Sequence, residues 1–377
     1  MHHNHKVKVL YIQPNCVRGG IETVLLTLLR SVDRSHFEPH VVFLEPGDLA
    51  HEVRAIGVRV SVFPTSHLRH AAETILTVLR LAQYMRNYHI DVIHCNSSKA
   101  QIYGGLAAAL TGIPDVYWLH NIPSDRLGVD PMADLAFLIP ASIRLTNSTE
   151  TNHMTNRHPL VRRHPTILWY GLDFNHLTSS DQAAARPYNV SSRKHILLIG
   201  RIQQWKGQHV LIQAAHILKR HRNDVCFDIV GSPTFAADQP YYDSLLAMAE
   251  ELGVADVINF VPHTNNVAAL YHSSEIVVHT STTPEPFGLV VIEAMAAGRP
   301  VIATNVGGPV DSTDNGNTGL LVPPGDPQAL ADAILRLLDD PAEASRLAER
   351  GRQRVHALYS VDRMVADMQA VYEKVIH

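Results

Sequence analysis

Short apolar runs alternate with helical patterns along almost the whole chain, and this alternation restricts the folds open to it. "VKVLYIQP" (Val7–Pro14) reads as a buried strand, and "GIETVLLTLLRSV" after it has helical spacing. "HVVFLEP", "VRVSVFP", "DVIHCNS", "DVYWLHN" and "ASIRLTNS" read as further strands, with helices such as Ala71–Arg86 and Lys99–Thr111 between them. Strands that are apolar at nearly every position and separated by helices belong to a parallel sheet covered on both faces. The pattern lapses in the polar stretch Leu172–His195. It resumes with "ILLIGR", "CFDIVG", "VINFVP", "EIVVHTS", "PVIATN" and "GLLVPP", and the chain ends in helices from about Pro327 to Ile376.

The expected class is therefore α/β, with two doubly wound Rossmann-like domains. Residues 1–171 form the first, 172–194 a linker and 195–359 the second. A length of 377 residues suits this division, since one domain commonly holds about 100–200 residues. Two such domains facing each other would enclose a cleft, and ligands of open α/β sheets sit beyond the C-terminal strand ends.

Composition removes several functions. Lys+Arg is 32 and Asp+Glu is 36, a net charge of −4, without the basic excess of a nucleic-acid binder. Cys16, Cys95 and Cys226 lie far apart with no CxxC pair, which argues against a disulfide scaffold or zinc site and fits a reducing compartment. No apolar run reaches the length of about 18 residues needed to span a membrane. "MHHNHKVKVLYI" enters a strand too early to hold a signal peptide. The expected location is cytoplasmic, with room for a peripheral contact at the inner membrane face. Most of the 24 histidines read as solvated loop residues, and the first three are native or a purification tag.

Two stretches of the second domain carry candidate chemistry. In "ILLIGRIQQWKGQHVLIQAAHIL" a strand ends at Gly200-Arg201, and Lys206-Gly207 precede a helix. Two cations beside a helix N-terminus suit an anion such as a diphosphate. Surface cations on a loop explain them equally well. In "STTPEPFGLVVIEAMAAG" Gly288 lets the backbone approach a ligand, and the amides that follow open a helix. Glu293 lies inside that helix among Ala and Gly, where it can accept hydrogen bonds from a ribose diol. Glu285 precedes the helix, where an acid also interacts favourably with the helix dipole.

The first domain has Gly19-Gly20 between a strand and a helix, but the spacing is not that of a dinucleotide fingerprint. His94 in "DVIHCNSS" and His120 in "YWLHN" end strands, and His279 in "VVHTS" is a third of the kind. Of the first two, His120 is favoured because it closes the more central-looking strand.

Together these stretches resemble glycosyltransferase family 4, the retaining enzymes of GT-B fold. The resemblance covers nearly the whole chain. It rests on "GRIQQWKG" (Gly200–Gly207), "EPFGLVVIE" (the E-x7-E pair Glu285 and Glu293), "RGGIE" (Arg18–Glu22), "WYGLD" (Trp169–Asp173), "VGS" (Val230–Ser232) and "TNVGGPVD" (Thr304–Asp311). It implies that Arg201 and Lys206 bind the donor diphosphate and that Glu293 holds the ribose. Glu285 and the backbone of Pro286, Phe287, Gly288 and Leu289 would hold sugar and phosphate. Gly231 in "VGS" and the loop near His263 would also bind the donor, His263 at the base. Gly20 would let a first-domain loop approach the sugar phosphate, and His120 would contact the donor sugar near the reacting carbon. His94 and Asn96 are expected on the acceptor side. A last helix, about 360–377, would cross back to the first domain. "ILWYGLD" stands where the family often has Pro-Asn-Gly.

The implied reaction moves a hexose-type sugar from a nucleoside diphosphate to an acceptor hydroxyl with retention, as in glycan, polysaccharide or glycolipid synthesis. His120, Arg201, Lys206 and Glu285 are the residues expected to carry it. No metal or other cofactor is expected, since the cations would stabilise the leaving diphosphate and no Asp-x-Asp motif occurs. A nucleotide-sugar 2-epimerase and a non-catalytic two-domain binding protein are the alternatives. The acceptor, whether glycan, lipid-linked or small molecule, is not legible. "DPMADLAFLIPASI" (Asp130–Ile143) suits a membrane-lipid acceptor or a buried helix.

Overall fold

The computed structural model describes residues 6–16, 19–65, 70–178, 193–264 and 266–377. The chain divides into two compact units, Met1–Leu172 with Ser360–His377, and Asp173–Tyr359. The expected linker 172–194 lies mostly outside the described residues, as do the N-terminal histidines and Arg18.

The first unit is built on a seven-stranded sheet of β1 (Val7–Gln13), β2 (Phe37–Phe43), β3 (Arg59–Val62), β4 (Val92–Cys95), β5 (Asp115–Leu119), β6 (Ile143–Thr146) and β7 (Thr166–Ile167). The order is β3-β2-β1-β4-β5-β6-β7, and every pair is parallel. Six of these strands occupy the expected apolar runs, and the two-residue edge strand β7 was not anticipated. Tyr11 pairs with Val41 on one side and His94 on the other. With neighbours on both edges and helices on both faces, β1 is sealed from water from Val9 to Ile12.

Helices α1 (Gly20–Ser31), α2 (Leu49–Ala55), α3 (Ala71–Tyr88), α4 (Ser98–Thr111), α5 (Pro131–Leu138) and α6 (Thr149–Arg157) connect these strands. Glycines let α4 sit close to its neighbours. A Cβ at Gly104 would lie 2.5 Å from Cys95 Sγ, and one at Gly105 would lie 2.7 Å from Ile139. The last helix of the chain, α15 (Val361–Ile376), also belongs to this unit. It buries Met364, Met368 and Tyr372, and Tyr372 OH donates to Tyr11 OH at 3.0 Å.

The second unit holds β8 (Lys194–Ile199), β9 (Val225–Val230), β10 (Ile258–Val261), β11 (Ile276–His279), β12 (Val301–Thr304) and β13 (Leu320–Val322), all parallel, in the order β10-β9-β8-β11-β12-β13. All six lie in the expected apolar runs. Its helices are α7 (Asn175–Thr178), α8 (Gln208–Lys219), α9 (Gln239–Glu251), α10 (Val267–Ser273), α11 (Leu289–Ala296), α12 (Gly308–Ser312), α13 (Pro327–Asp339) and α14 (Pro341–Leu358). One core joins β8, β9 and β11 to α8 and α13 through Ile196, Phe227, Val278, Leu211 and Ile334.

Each sheet therefore reverses its winding once, between β1 and β4 in the first unit and between β8 and β11 in the second. Loops leaving the C-terminal ends of such neighbouring strands diverge and open a crevice, where open α/β sheets bind ligands.

Candidate donor site and the His120 cluster

In the second unit the two loops at the reversal come from "GRIQQWKG" and "HTSTTPEPFG". Gly207 ends the first loop and caps α8 with φ 72. A Cβ there would meet Thr280 O at 2.0 Å, so only glycine lets the two loops pack this closely. Thr280 Oγ1 donates to Lys206 O at 2.8 Å, and Thr282 N donates to Trp205 O at 2.8 Å. These bonds place the Lys206 ammonium against the Glu285 carboxylate. Lys206 Nζ lies 2.7 Å from Glu285 Oε1 and 4.3 Å from the Trp205 ring centroid.

Glu285 Oε2 accepts from His279 Nε2 at 2.7 Å and from Ser281 Oγ at 2.9 Å. His279 Nδ1 faces Thr304 Oγ1 at 3.3 Å. Glu285 can only accept, so His279 Nε2 donates to it. Burial works to raise the Glu285 pKa, but the Lys206 charge and the His279 hydrogen bond outweigh it and hold the carboxyl well below its ordinary range. Lys206 keeps donor capacity beyond this pair, because an ammonium has three N–H groups.

The chain after Glu285 is shaped from behind. Glu285 O accepts from Gly308 N at 2.8 Å. A Cβ at Gly307 would lie 2.2 Å from Glu285 O, and one at Gly308 would lie 2.4 Å from Phe287 Cα. Phe287 is buried edge-on against Tyr359. Gly288, at φ 83, turns the chain into α11, so the amides beginning at Leu289 open that helix at the strand ends. Glu293 lies within α11 and accepts from Tyr271 OH at 2.8 Å.

Arg201 leaves the end of β8 with an exposed side chain, its carbonyl held by Gln208 Nε2 at 2.8 Å. Gly231 follows β9 with φ 152, and a Cβ there would lie 2.0 Å from Gly200 O. Ser232 joins the next strand end, accepting from His263 N at 3.1 Å, and the His263 side chain is exposed. The expected donor residues Arg201, Lys206, Gly231, His263, Glu285, Pro286, Phe287, Gly288 and Leu289 thus all follow the C-terminal ends of adjacent strands. Glu293 enters from the helix after β11.

In the first unit, Gly20 is exposed and opens α1 after β1. Beneath this turn Gln13 Nε2 donates to Glu22 Oε1 at 2.9 Å in a buried pair. His120 follows β5 and is nearly sealed, at 4% exposure. Its Nδ1 is 2.5 Å from Tyr170 OH, and its Nε2 is 3.3 Å from Asn96 Oδ1. Asn147 Nδ2 donates to the same tyrosine oxygen at 2.8 Å. Burial, and then His94, pull the His120 pKa down to about 3, so its ring is neutral.

His94 requires a correction. Its position at a strand end suggested an acceptor contact, but its side chain points into the core and is wholly buried. Its Nδ1 is 2.6 Å from Tyr372 OH, and its ring packs on Tyr11 and Trp118. Asn96 is buried and holds His120.

Sequence reasoning missed Ser281, Thr304, Tyr271, Asn147 and Tyr170 as supports of the site. Tyr170 had a signal, since it stands in "WYGLD", where the sequence departs from the usual Pro-Asn-Gly. Among the described residues, one His/Cys/Asp group is close enough to hold a metal: His195, Cys226 and Asp228, with ligand atoms within 4.8 Å. The spacing of the cysteines gave no hint of it. It lies away from the strand ends that carry the site, and His195 Nδ1 already pairs with Asp228 Oδ2 at 2.7 Å. No described helix is long and apolar enough to cross a membrane.

Residues 181–354 match the family model described as "Glycosyl transferases group 1". Residues 18–155 match the one described as "Glycosyltransferase Family 4". The chain is 30% identical over 344 residues to a D-inositol 3-phosphate glycosyltransferase of Paenarthrobacter aurescens, covering 85% of this chain and 81% of that protein. It is 32% identical over 284 residues to the Frankia alni protein of the same name, covering 69% and 68%. Among solved structures, Anabaena Alr3699/HepE in complex with UDP superposes with a TM-score of 0.88 at 24% identity, covering 98% of this chain and all of that one. A glycosyltransferase from Rickettsia africae superposes with a TM-score of 0.87 at 20% identity, covering 98% and 99%. Both share the GT-B fold seen here.

Proposed function

Because the chain belongs to glycosyltransferase family 4, we propose that it transfers a hexose-type sugar from UDP or GDP to an acceptor hydroxyl with retention of the anomeric configuration. The observation that carries this is the Lys206–Glu285 pair, 2.7 Å apart at the winding reversal of the second sheet. A diphosphate placed there takes the remaining Lys206 N–H groups, the Arg201 guanidinium and the first amides of α11. These groups stabilise the charge that develops as the bond from the anomeric carbon to the phosphate oxygen breaks. The acceptor oxygen bonds to the anomeric carbon on the same face, and its proton passes to the departing phosphate oxygen. Two fixed cations and a helix N-terminus supply this stabilisation without a divalent metal. Glu293 takes the ribose hydroxyls, and neutral His120 can offer its Nε2–H to a bound hydroxyl. Three buried cysteines, none of them in a disulfide, fit a cytoplasmic protein.

The test is calorimetry of UDP, GDP and ADP with the protein in EDTA, beside Lys206→Ala. Loss of one charge-assisted contact of about 1.5–3 kcal/mol corresponds to a roughly ten- to hundredfold weaker Kd. Tight EDTA-resistant binding of one nucleotide, weakened in the variant, supports the reading. Binding that EDTA abolishes overturns the metal-independent site, and equal binding by the variant removes Lys206 from it. A product screen with that nucleotide's sugars follows, with inositol phosphate among the acceptors because curated relatives are named for it. Conversion of the sugar without any acceptor would instead mark an epimerase.

A further inference from the structure

Ten of the twelve large apolar side chains that are exposed among the described residues lie between Ile75 and Leu138, in the first unit. Eight of them sit on three helices, α4 contacting both α3 and α5, and Leu127 and Val129 lie in the loop just before α5. A surface helix normally turns charged residues outward. Here the outward positions carry Ile75 and Leu79 on α3, Leu106 and Leu110 on α4, and Leu135 and Leu138 on α5, at 39–63% exposure. Among the described residues the second unit exposes only Phe235 and Leu246 of this kind, so the patch is local. Such a patch on an otherwise soluble-type surface marks an interaction site.

Charge identifies the partner. The first unit contains 18 Lys+Arg and 16 Asp+Glu, a net of +2, while the second contains 14 and 20, a net of −6. The exposed arginines Arg80, Arg86 and Arg126 border the apolar stripes. Arg86 reaches the end of α4, donating to Leu110 O at 3.1 Å. Helix α4 contains no acidic residue. The one acid of α5, Asp134, is engaged by Gly128 N at 2.7 Å and His158 Nε2 at 2.8 Å. Leucines flanked by arginines, with Asp134 turned to internal partners and the exposed Glu73 of α3 standing 3.7 Å from His70 Nδ1, match a lipid surface bearing negative headgroups.

We propose that the outer face of α3, α4 and α5 docks the protein on an anionic membrane surface, with the leucines entering the headgroup boundary and the arginines meeting lipid phosphates. This docking is independent of the donor reading, because sedimentation with vesicles reports the surface whether or not sugar is transferred.

The experiment sediments the full chain with vesicles of phosphatidylcholine alone and with added phosphatidylglycerol. It includes the double variants Leu106→Ser/Leu110→Ser and Arg86→Gln/Arg126→Gln. Wild type should bind the anionic vesicles, more weakly as salt rises. The leucine pair should cut the partition coefficient by at least about tenfold, and the arginine pair by about fivefold per charge. All variants should keep the wild-type nucleotide affinity, since none touches the donor site. Absence of binding to either vesicle overturns the proposal. So does a concentration-dependent dimer that the leucine variant dissolves, which would assign the face to a second copy of the chain.

Discussion

Tyr170 OH lies 2.5 Å from His120 Nδ1 while accepting a hydrogen bond from Asn147 Nδ2 at 2.8 Å. The Asn96 amide oxygen facing Nε2 can only accept, so the neutral ring carries its proton there and Nδ1 takes the tyrosine proton. The imidazole is then neutral with its proton on Nε2, the tautomer that can donate to Asn96 Oδ1 or to a bound hydroxyl. Tyr170→Phe should release this choice. The expected loss is one neutral hydrogen bond, about 0.5–1.5 kcal/mol or roughly two- to tenfold in kcat, with nucleotide Kd unchanged. Nitrogen-15 NMR of the His120 ring should show mixed tautomers in the variant. A ring spectrum identical to wild type would remove Tyr170 as the residue that sets the tautomer.

His279 acts on Glu285 from the second unit's core side. His279→Phe takes away the 2.7 Å hydrogen bond to Glu285 Oε2 and leaves Lys206 and Ser281 in place. Loss of a hydrogen bond to a charged group, about 1.5–3 kcal/mol, predicts a roughly ten- to hundredfold lower kcat. Removing one of the contacts that depress the Glu285 pKa should also move the acid limb of the rate profile upward in pH. Thr304→Val, one bond further out, should cost less. An acid limb that stays put in His279→Phe would contradict the positioning role.

Gly207 is the point where the two loops of the proposed donor site meet. Alanine there needs φ near 72 and puts its Cβ 2.0 Å from Thr280 O. Strain at such a position is roughly 1–3 kcal/mol, which in a unit of this size lowers Tm by about 2–4 °C per kcal/mol. Nucleotide affinity should fall with it, because the Lys206 turn must move away from Thr280. If folded Gly207→Ala binds nucleotide like wild type, the loop contact does not build the site.

The buried His195–Asp228 pair predicts a pH dependence of stability. The hydrogen bond to Asp228, and then the one to Cys226, outweigh desolvation and raise the His195 pKa to about 10. A raised folded-state pKa gives stability that is fully present below the unfolded value of about 6.5 and is lost as pH climbs to about 10. The slope of this loss approaches about 1.4 kcal/mol per pH unit. Melting curves from pH 6 to 10 should therefore decline more steeply for wild type than for Asp228→Asn. Parallel declines would show that the pair contributes no such stability.

The local signals were legible because they depend on neighbours in sequence. Continuous apolar runs of strand length can only be buried in a covered parallel sheet, so the strands of both units were readable, apart from the two-residue β7. Glycine at 207, 288 and 307 marks backbone that other residues adopt only with strain, which is why the donor loops stood out as motifs. The E-x7-E spacing announced Glu285 and Glu293 together, because one lies just before a short helix and the other within it.

What the sequence could not decide was which way a strand-end side chain faces and what covers it. His94 and His120 end neighbouring strands in similar fashion. Only the packing of α15, some 278 residues further along, turns His94 into a core residue bonded to Tyr372. Tyr170 and Asn147 likewise reach His120 from separate segments. The chain alone therefore determined two wound sheets and the motifs at their strand ends. The tertiary structure decided the partners of Lys206, Glu285 and His120, because hydrogen bonding and burial depend on distances between residues that sequence separation does not encode.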